Sequence, residues 1–122
     1  MIYSGKIIHG LQKGRTFGYP TANIALNEHT QTIEYGVYAV QIFFQDHIYG
    51  GMLYVGTRPT LKMKDRTIEI HLFNFSEEIY NQLLSFKIIK KIRNEITFSS
   101  TDQLINQINT DYEQIKKVLA NL

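Results

Sequence analysis

Cysteine is absent from this chain, proline occurs only twice in 122 residues, and neither sign of charge dominates. Without cysteine the fold has neither disulfides nor thiolate metal ligands. Thirteen Lys and Arg against eleven Asp and Glu leave a net charge of +2. That excess is too small for a whole-surface nucleic-acid binder, although local basic patches could still serve phosphates. No apolar run approaches the roughly 18 residues of a membrane span. The opening Met1-Ile2-Tyr3-Ser4-Gly5-Lys6 lacks the basic-then-apolar layout of a signal peptide. There is also no Pro/Ser-rich linker, repeat or low-complexity run. What remains is 43% hydrophobic and 12% aromatic, the composition of a globular domain, and its length suits one domain with one core. The expectation is a single cytoplasmic domain over residues 1–122, monomeric, with neither membrane nor nucleic acid as partner.

Periodicity divides the chain into strands and one helix. Ile2 to His9 reads as a strand, and Pro20 to Ala25 as a short extended piece followed by a polar loop from Leu26 to Glu34. Gly36 to Phe44 alternates in hydropathy, breaks at Gln45-Asp46-His47, and resumes from Ile48 to Val55, which predicts a hairpin. Thr67 to Phe75 and Leu84 to Ile92 are further strands. In the latter, Leu84, Phe86, Ile88 and Ile92 form one side, and Ile89-Lys90 breaks the pattern. The period then lengthens. Ser100 is placed to cap a helix with Gln103 reaching back, and Leu104, Ile108, Tyr112, Ile115 and Leu119 make an apolar stripe. Short antiparallel strands closed by one amphipathic helix suggest a small β-barrel with the helix packed against it.

The chemistry concentrates in Gly14-Arg15-Thr16-Phe17-Gly18-Tyr19-Pro20-Thr21-Ala22-Asn23. Glycines at 10, 14 and 18 allow backbone N–H groups to approach an anion, Arg15 supplies fixed positive charge, and Thr21 and Asn23 offer the hard oxygens that Mg²⁺ prefers. In an extended segment Thr21 and Asn23 share a face and can reach one cation, although Thr and Asn after Pro also suit a capped turn. The spacing is not that of a Walker loop, because Pro20 follows Gly18 and extended residues come next. Glu69 and His71 alternate against Ile68, Ile70 and Leu72, which by pattern alone makes them a solvated strand face. Arg15 beside glycines and Arg93 beside Glu95 read locally as surface charges or a local ion pair. Phe75, Tyr80 and Phe98 read as packing aromatics, and the histidines at 9, 29, 47 and 71 show no metal-ligand spacing.

These residues resemble the riboflavin kinases, whose N-terminal signature runs Gly, Gly-Arg, Gly, then Pro-Thr-Ala-Asn. The resemblance continues through Tyr35-Gly36-Val37-Tyr38, Gly56-Thr57-Arg58-Pro59-Thr60, Glu69-Ile70-His71-Leu72 with Phe75 and Tyr80, Arg93-Asn94-Glu95 with Phe98, and Asp111. It spans nearly the whole chain. It implies a mainly β fold, a six-stranded antiparallel Greek-key barrel with a C-terminal helix. It also implies transfer of the ATP γ-phosphate to the ribityl 5′-hydroxyl of riboflavin, giving FMN and ADP. Glu69 takes the place of the catalytic carboxylate and Thr21 with Asn23 that of the Mg²⁺ ligands. Gly10, Arg15 and Gly18 belong to the loop over the phosphates, and Arg93 and Phe98 to the flavin side.

Two positions depart from the pattern. Tyr54 stands where the family usually has Asn, and Asn81 where it has Gly. Asn tolerates the left-handed backbone that Gly adopts, whereas losing the amide at 54 bears on nucleotide affinity. Many bacterial members carry a nucleotidylyltransferase domain that converts FMN to FAD, and no His-x-Gly-His motif of that kind occurs in this sequence. Two other readings compete. One is a flavin- or nucleotide-binding regulator with little or no catalysis, and the other a nucleic-acid-binding barrel using a Lys87, Lys91 and Arg93 face.

Overall fold

The structure, a computed structural model, describes residues 2–8, 22–25, 27–59, 64–75 and 81–122. Among the described residues six strands, β1 (Ile2–Ile8), β2 (Ala22–Ile24), β3 (Gly36–Phe44), β4 (His47–Pro59), β5 (Lys64–Leu72) and β6 (Leu83–Arg93), precede one α-helix, α1 (Thr101–Ala120). The strands close a barrel in the order β1-β2-β5-β4-β3-β6, and every pairing is antiparallel. β3, β4 and β5 form a meander, and β6 returns to lie beside β3, which is the Greek-key connection.

The β3–β4 hairpin turns on two residues. Gln45 and Asp46 both take left-handed backbone, with φ of 50° and 64°, the geometry that matches the twist of a two-residue hairpin. His47 therefore begins β4 rather than ending the turn, and β4 runs to Pro59, past the expected Val55. β5 is shifted toward the N-terminus of the segment expected for it, starting at Lys64 and ending at Leu72.

β6 corrects the sequence reading at its second half. Val40 pairs with Ile88 but Ala39 with Lys90, and Tyr38 pairs with Lys91 but Val37 with Arg93. Ile89 and Ile92 are thus the extra residues of two bulges. Each bulge flips the alternation, so Ile88 packs on the barrel interior while Ile89 and Ile92 face the helix. Ile92 does not share a side with Leu84 and Phe86, because a period of two cannot survive an inserted residue.

Two cores result. The barrel interior is filled by branched and aromatic side chains, among them Ile7, Val40, Ile42, Leu53, Ile68, Ile70 and Phe86, all buried. On the outer face of β3, β4 and β6 a second core joins Val37, Ala39, Met52 and Phe73 to Ile115, with Ile108, Tyr112, Val118 and Leu119 around it. The helix begins as its sequence suggests. The Ser100 hydroxyl accepts the Gln103 N–H at 3.2 Å, while the Gln103 side chain accepts from Ser99, one residue before the cap. The helix buttresses one side of the barrel and leaves the neighbouring outer face of β2 and β5 beside it.

Candidate active site on the outer face of the barrel

Register builds a polar row across three strands. Asn23 on β2 lies directly opposite Glu69 on β5, and Glu69 directly opposite Tyr54 on β4. Directly opposed residues stand on one face with Cβ atoms about 4.5–5.5 Å apart. Their neighbours Ile24, Ile68, Ile70, Leu53 and Val55 fill the interior, so the row lies on the outside. Glu69 and Tyr54 are half-buried. Asn23 is buried, 5% exposed, and its Oδ1 has no hydrogen-bond partner among the described residues. An orphaned amide oxygen of that kind costs free energy unless a donor or a cation meets it.

The row continues into the segment after β6. The Tyr54 hydroxyl donates to Glu95 Oε2 at 2.6 Å, and the Thr57 N–H donates to the same oxygen at 3.1 Å. Gly56 makes this meeting possible, since a Cβ there would collide with both the Tyr54 hydroxyl and Glu95 Oε2. Burial pushes the Tyr54 phenol well above its ordinary value. The bond to Glu95 and the negative charges of Glu95 and Glu69 push the same way, and Arg93 opposes them.

Arg93 leaves β6 toward the helix. It pairs with Asp111, Nη2 to Oδ2 at 2.8 Å and Nε to both carboxylate oxygens at 2.9 Å. Gln107 donates to the same carboxylate at 2.9 Å. The side chains are 14% and 1% exposed, so a buried Asp111 carboxylate meets a mostly buried guanidinium, and the pair is with Asp111 rather than Glu95. The guanidinium also lies 5.9 Å from the centre of the Phe98 ring. Phe75 packs on the barrel interior beside Phe44 and Tyr49. His71 sits beside Phe73, ring centres 5.4 Å apart, at the edge of the helix-facing core.

The candidates Gly10, Arg15, Gly18 and Thr21, with Tyr80, lie outside the described residues. Of the residues singled out, Asn23 and Glu69 are brought together, while Arg93 and Phe98 sit with the helix side. The sequence marks Tyr54 only as a departure bearing on nucleotide affinity and Glu95 only as a local partner for Arg93, and it assigns Asp111 no role. The signal for Asp111 was available, since an acid one turn from both Ile108 and Ile115 lies within the apolar stripe and needs a partner. Asn81 does take the left-handed backbone, with φ of 59°. Of the basic face that a nucleic-acid barrel would use on β6, Lys87 is exposed but the other two members are engaged within the fold. Arg93 is taken by Asp111, and Lys91 contacts Glu34 at 3.3 Å. Among the described residues no group of three or more His, Cys, Asp or Glu could hold a metal, and no helix is long and apolar enough to cross a membrane.

A closed antiparallel barrel, with one helix docked on its outside and a polar row beside that helix, defines the structural class. Comparison with known proteins gives the family. The chain matches the flavokinase, or riboflavin kinase, family over residues 1–119 and belongs to it. It is 44% identical over 113 residues to the bifunctional riboflavin kinase/FMN adenylyltransferase of Haemophilus influenzae, covering 92% of this chain and 36% of that protein. A crystal structure from Streptococcus pneumoniae, described as a macrolide-efflux protein, superposes with a TM-score of 0.84 at 34% identity, over 94% of this chain and 38% of that one. Riboflavin kinase from Trypanosoma brucei shares the fold, with a TM-score of 0.70 at 22% identity, over 98% of this chain and 79% of that one. The chain spans little more than a third of the length of the curated relatives it matches.

Proposed function

We propose that this chain is a riboflavin kinase that transfers the ATP γ-phosphate to the ribityl 5′-hydroxyl of riboflavin, releasing FMN and ADP. The observation that carries the reading is the pairing of Asn23 with Glu69. A buried amide oxygen with no partner among the described residues stands directly across from a half-buried carboxylate, in a chain of the riboflavin kinase family. Glu69 accepts the hydroxyl proton as the new O–P bond forms and the bond to the ADP oxygen breaks. A primary alcohol is a poor nucleophile, and a carboxylate within hydrogen-bond reach orients it and takes its proton.

Asn23 Oδ1 suits a hard divalent cation such as Mg²⁺, with Thr21 as a second protein oxygen and the remaining positions left to phosphate and water. Such a cation, when bound, neutralises charge on the phosphates. Gly10, Arg15 and Gly18 would cradle those phosphates, and Arg93 with Phe98 would line the flavin side. The enzyme works as a cytoplasmic monomer on soluble small molecules. No observation favours the inactive regulator, since both Glu69 and Asn23 are present in the row.

Incubation with riboflavin, ATP and Mg²⁺, followed by chromatography of the flavins and measurement of ADP, tests the reading. FMN and ADP should appear in equal amounts, and FMN with ATP should give no FAD. Absence of FMN across several divalent metals would overturn the kinase assignment. FAD formed from FMN would overturn its restriction to phosphorylation.

A further inference from the structure

The residue at position 54 is an aromatic whose hydroxyl is committed. Its ring packs into the helix-facing core, so the side chain cannot swing away without opening that core. From this fixed ring the hydroxyl reaches Glu95 at 2.6 Å, and the Thr57 N–H reaches the same oxygen. Gly56 supplies the space in which they meet. Glu95 lies 41 residues along the chain from Tyr54, so this bond ties the segment after β6 down onto β4.

The other end of that segment is tied as well. Arg93 is held by Asp111 on α1, and Ser100 caps the helix that follows. Residues 94–98 therefore bridge from β6 to α1 with anchors on two elements, and Asn94, Ile96 and Thr97 stay exposed between them. The order of residues across the sheet gives the bridge its meaning. Asn23 lies on one side of Glu69 and Tyr54 on the other. In phosphoryl transfer the attacking and leaving oxygens are roughly in line. If the phosphate donor approaches Glu69 from the Asn23 side, the acceptor approaches from the side of Tyr54 and Glu95.

We propose that Tyr54 is a positioning residue, whose hydrogen bond to Glu95 fixes residues 94–98 beside Glu69 and thereby sets the affinity for the flavin acceptor without joining in proton or phosphoryl transfer. This rests on the riboflavin kinase reading of the same row. It also locates the effect of the departure at position 54 on the acceptor side, not the nucleotide side.

The test compares wild type with Tyr54→Phe, Glu95→Ala, Glu95→Gln and the Tyr54→Phe/Glu95→Ala pair. Riboflavin binding is read by quenching of flavin fluorescence, kcat and KM by ADP release, and folding by thermal melting. Tyr54→Phe should weaken riboflavin binding by roughly tenfold, the low end of what a hydrogen bond to a charged group is worth. Its kcat and its KM for ATP should stay within about twofold of wild type. Glu95→Ala should lose at least as much, since it also takes the acceptor from the Thr57 N–H, and the pair should be no worse than Glu95→Ala alone, because the Tyr54–Glu95 bond is already gone in that variant. Glu95→Gln keeps an oxygen for Tyr54 and Thr57 and should lose less. Unchanged riboflavin affinity in Tyr54→Phe, or an equal rise in the KM for ATP, overturns the proposal. A wild-type protein that binds riboflavin yet makes no FMN overturns the kinase reading alone, since the binding series still reads the Tyr54–Glu95 bond.

Discussion

A carboxylate on a half-buried strand face can be a spectator or a base, and its neighbours decide which. Glu69 has Asn23 across one interstrand gap and Tyr54 across the other, so it stands between an orphaned acceptor and a committed hydroxyl rather than in open water. Glu69→Gln keeps the shape and removes the basicity. It should leave the melting temperature and both substrate affinities nearly unchanged while lowering kcat by roughly 10²- to 10⁴-fold, the usual contribution of a positioned general base. A well-folded variant within a few-fold of wild type would exclude Glu69 as the base. Asn23 calls for a different readout. Its Oδ1 has no partner among the described residues, so Asn23→Ala should cost little stability in the metal-free protein. The stabilisation that Mg²⁺ and ATP confer on wild type should largely vanish in the variant, because a ligand stabilises only through its binding to the folded state. Riboflavin should still raise the melting temperature of both proteins. Loss of the riboflavin shift along with the Mg-ATP shift would refute the metal role.

Among the elements, β6 and α1 carry the largest lesson. Their existence and most of their apolar faces were legible, because the change from period two to period 3.6 and the Ser100 cap are local properties of the chain. The site's order across the sheet was not, because register between β2, β5 and β4 depends on closure of the barrel. The two bulges of β6 showed only as a break at Ile89-Lys90, and nothing local says that Ile92 must turn to the helix. Asp111 in turn fixes how α1 sits on β6. Removing one member of a buried ion pair leaves the other uncompensated, so Asp111→Ala should lower stability by about 3–5 kcal/mol. Arg93→Met combined with Asp111→Leu replaces both charges by apolar groups and should recover most of that loss. Chemical denaturation measures the recovery. Riboflavin affinity of the recovered double variant then isolates any contact of Arg93 with the flavin. Unchanged affinity would assign Arg93 to the fold alone.

At the scale of the whole molecule, a closed barrel has an inside that cannot yield and an outside that can, and two adjacent glycines on β4 report the difference. Gly51 points inward. A Cβ there would collide with the Ile42 side chain and with the backbone oxygen of His71 on β5. Gly50 points outward, where a Cβ would come 2.7 Å from Leu119 Cδ1, the end of a flexible side chain on the helix. A methyl side chain can rotate, and a docked helix can shift slightly. A strand backbone locked on both sides into a ring of hydrogen bonds can do neither without opening the ring. Gly51→Ala should therefore cost about 1–3 kcal/mol, the range for overpacking a filled interior, and Gly50→Ala distinctly less. In urea both variants should unfold in one transition with the slope of wild type, since barrel and helix share their strands, and only the midpoint of Gly51→Ala should fall substantially. Activity follows from the same geometry. The strained oxygen belongs to His71, two residues from Glu69 on β5, so Gly51→Ala should also lower kcat in the molecules that remain folded, whereas Gly50→Ala should not. If Gly50→Ala proved as costly as Gly51→Ala in both measurements, the helix would be as unyielding as the barrel wall, and the division into a rigid interior and an adaptable outer layer would fail.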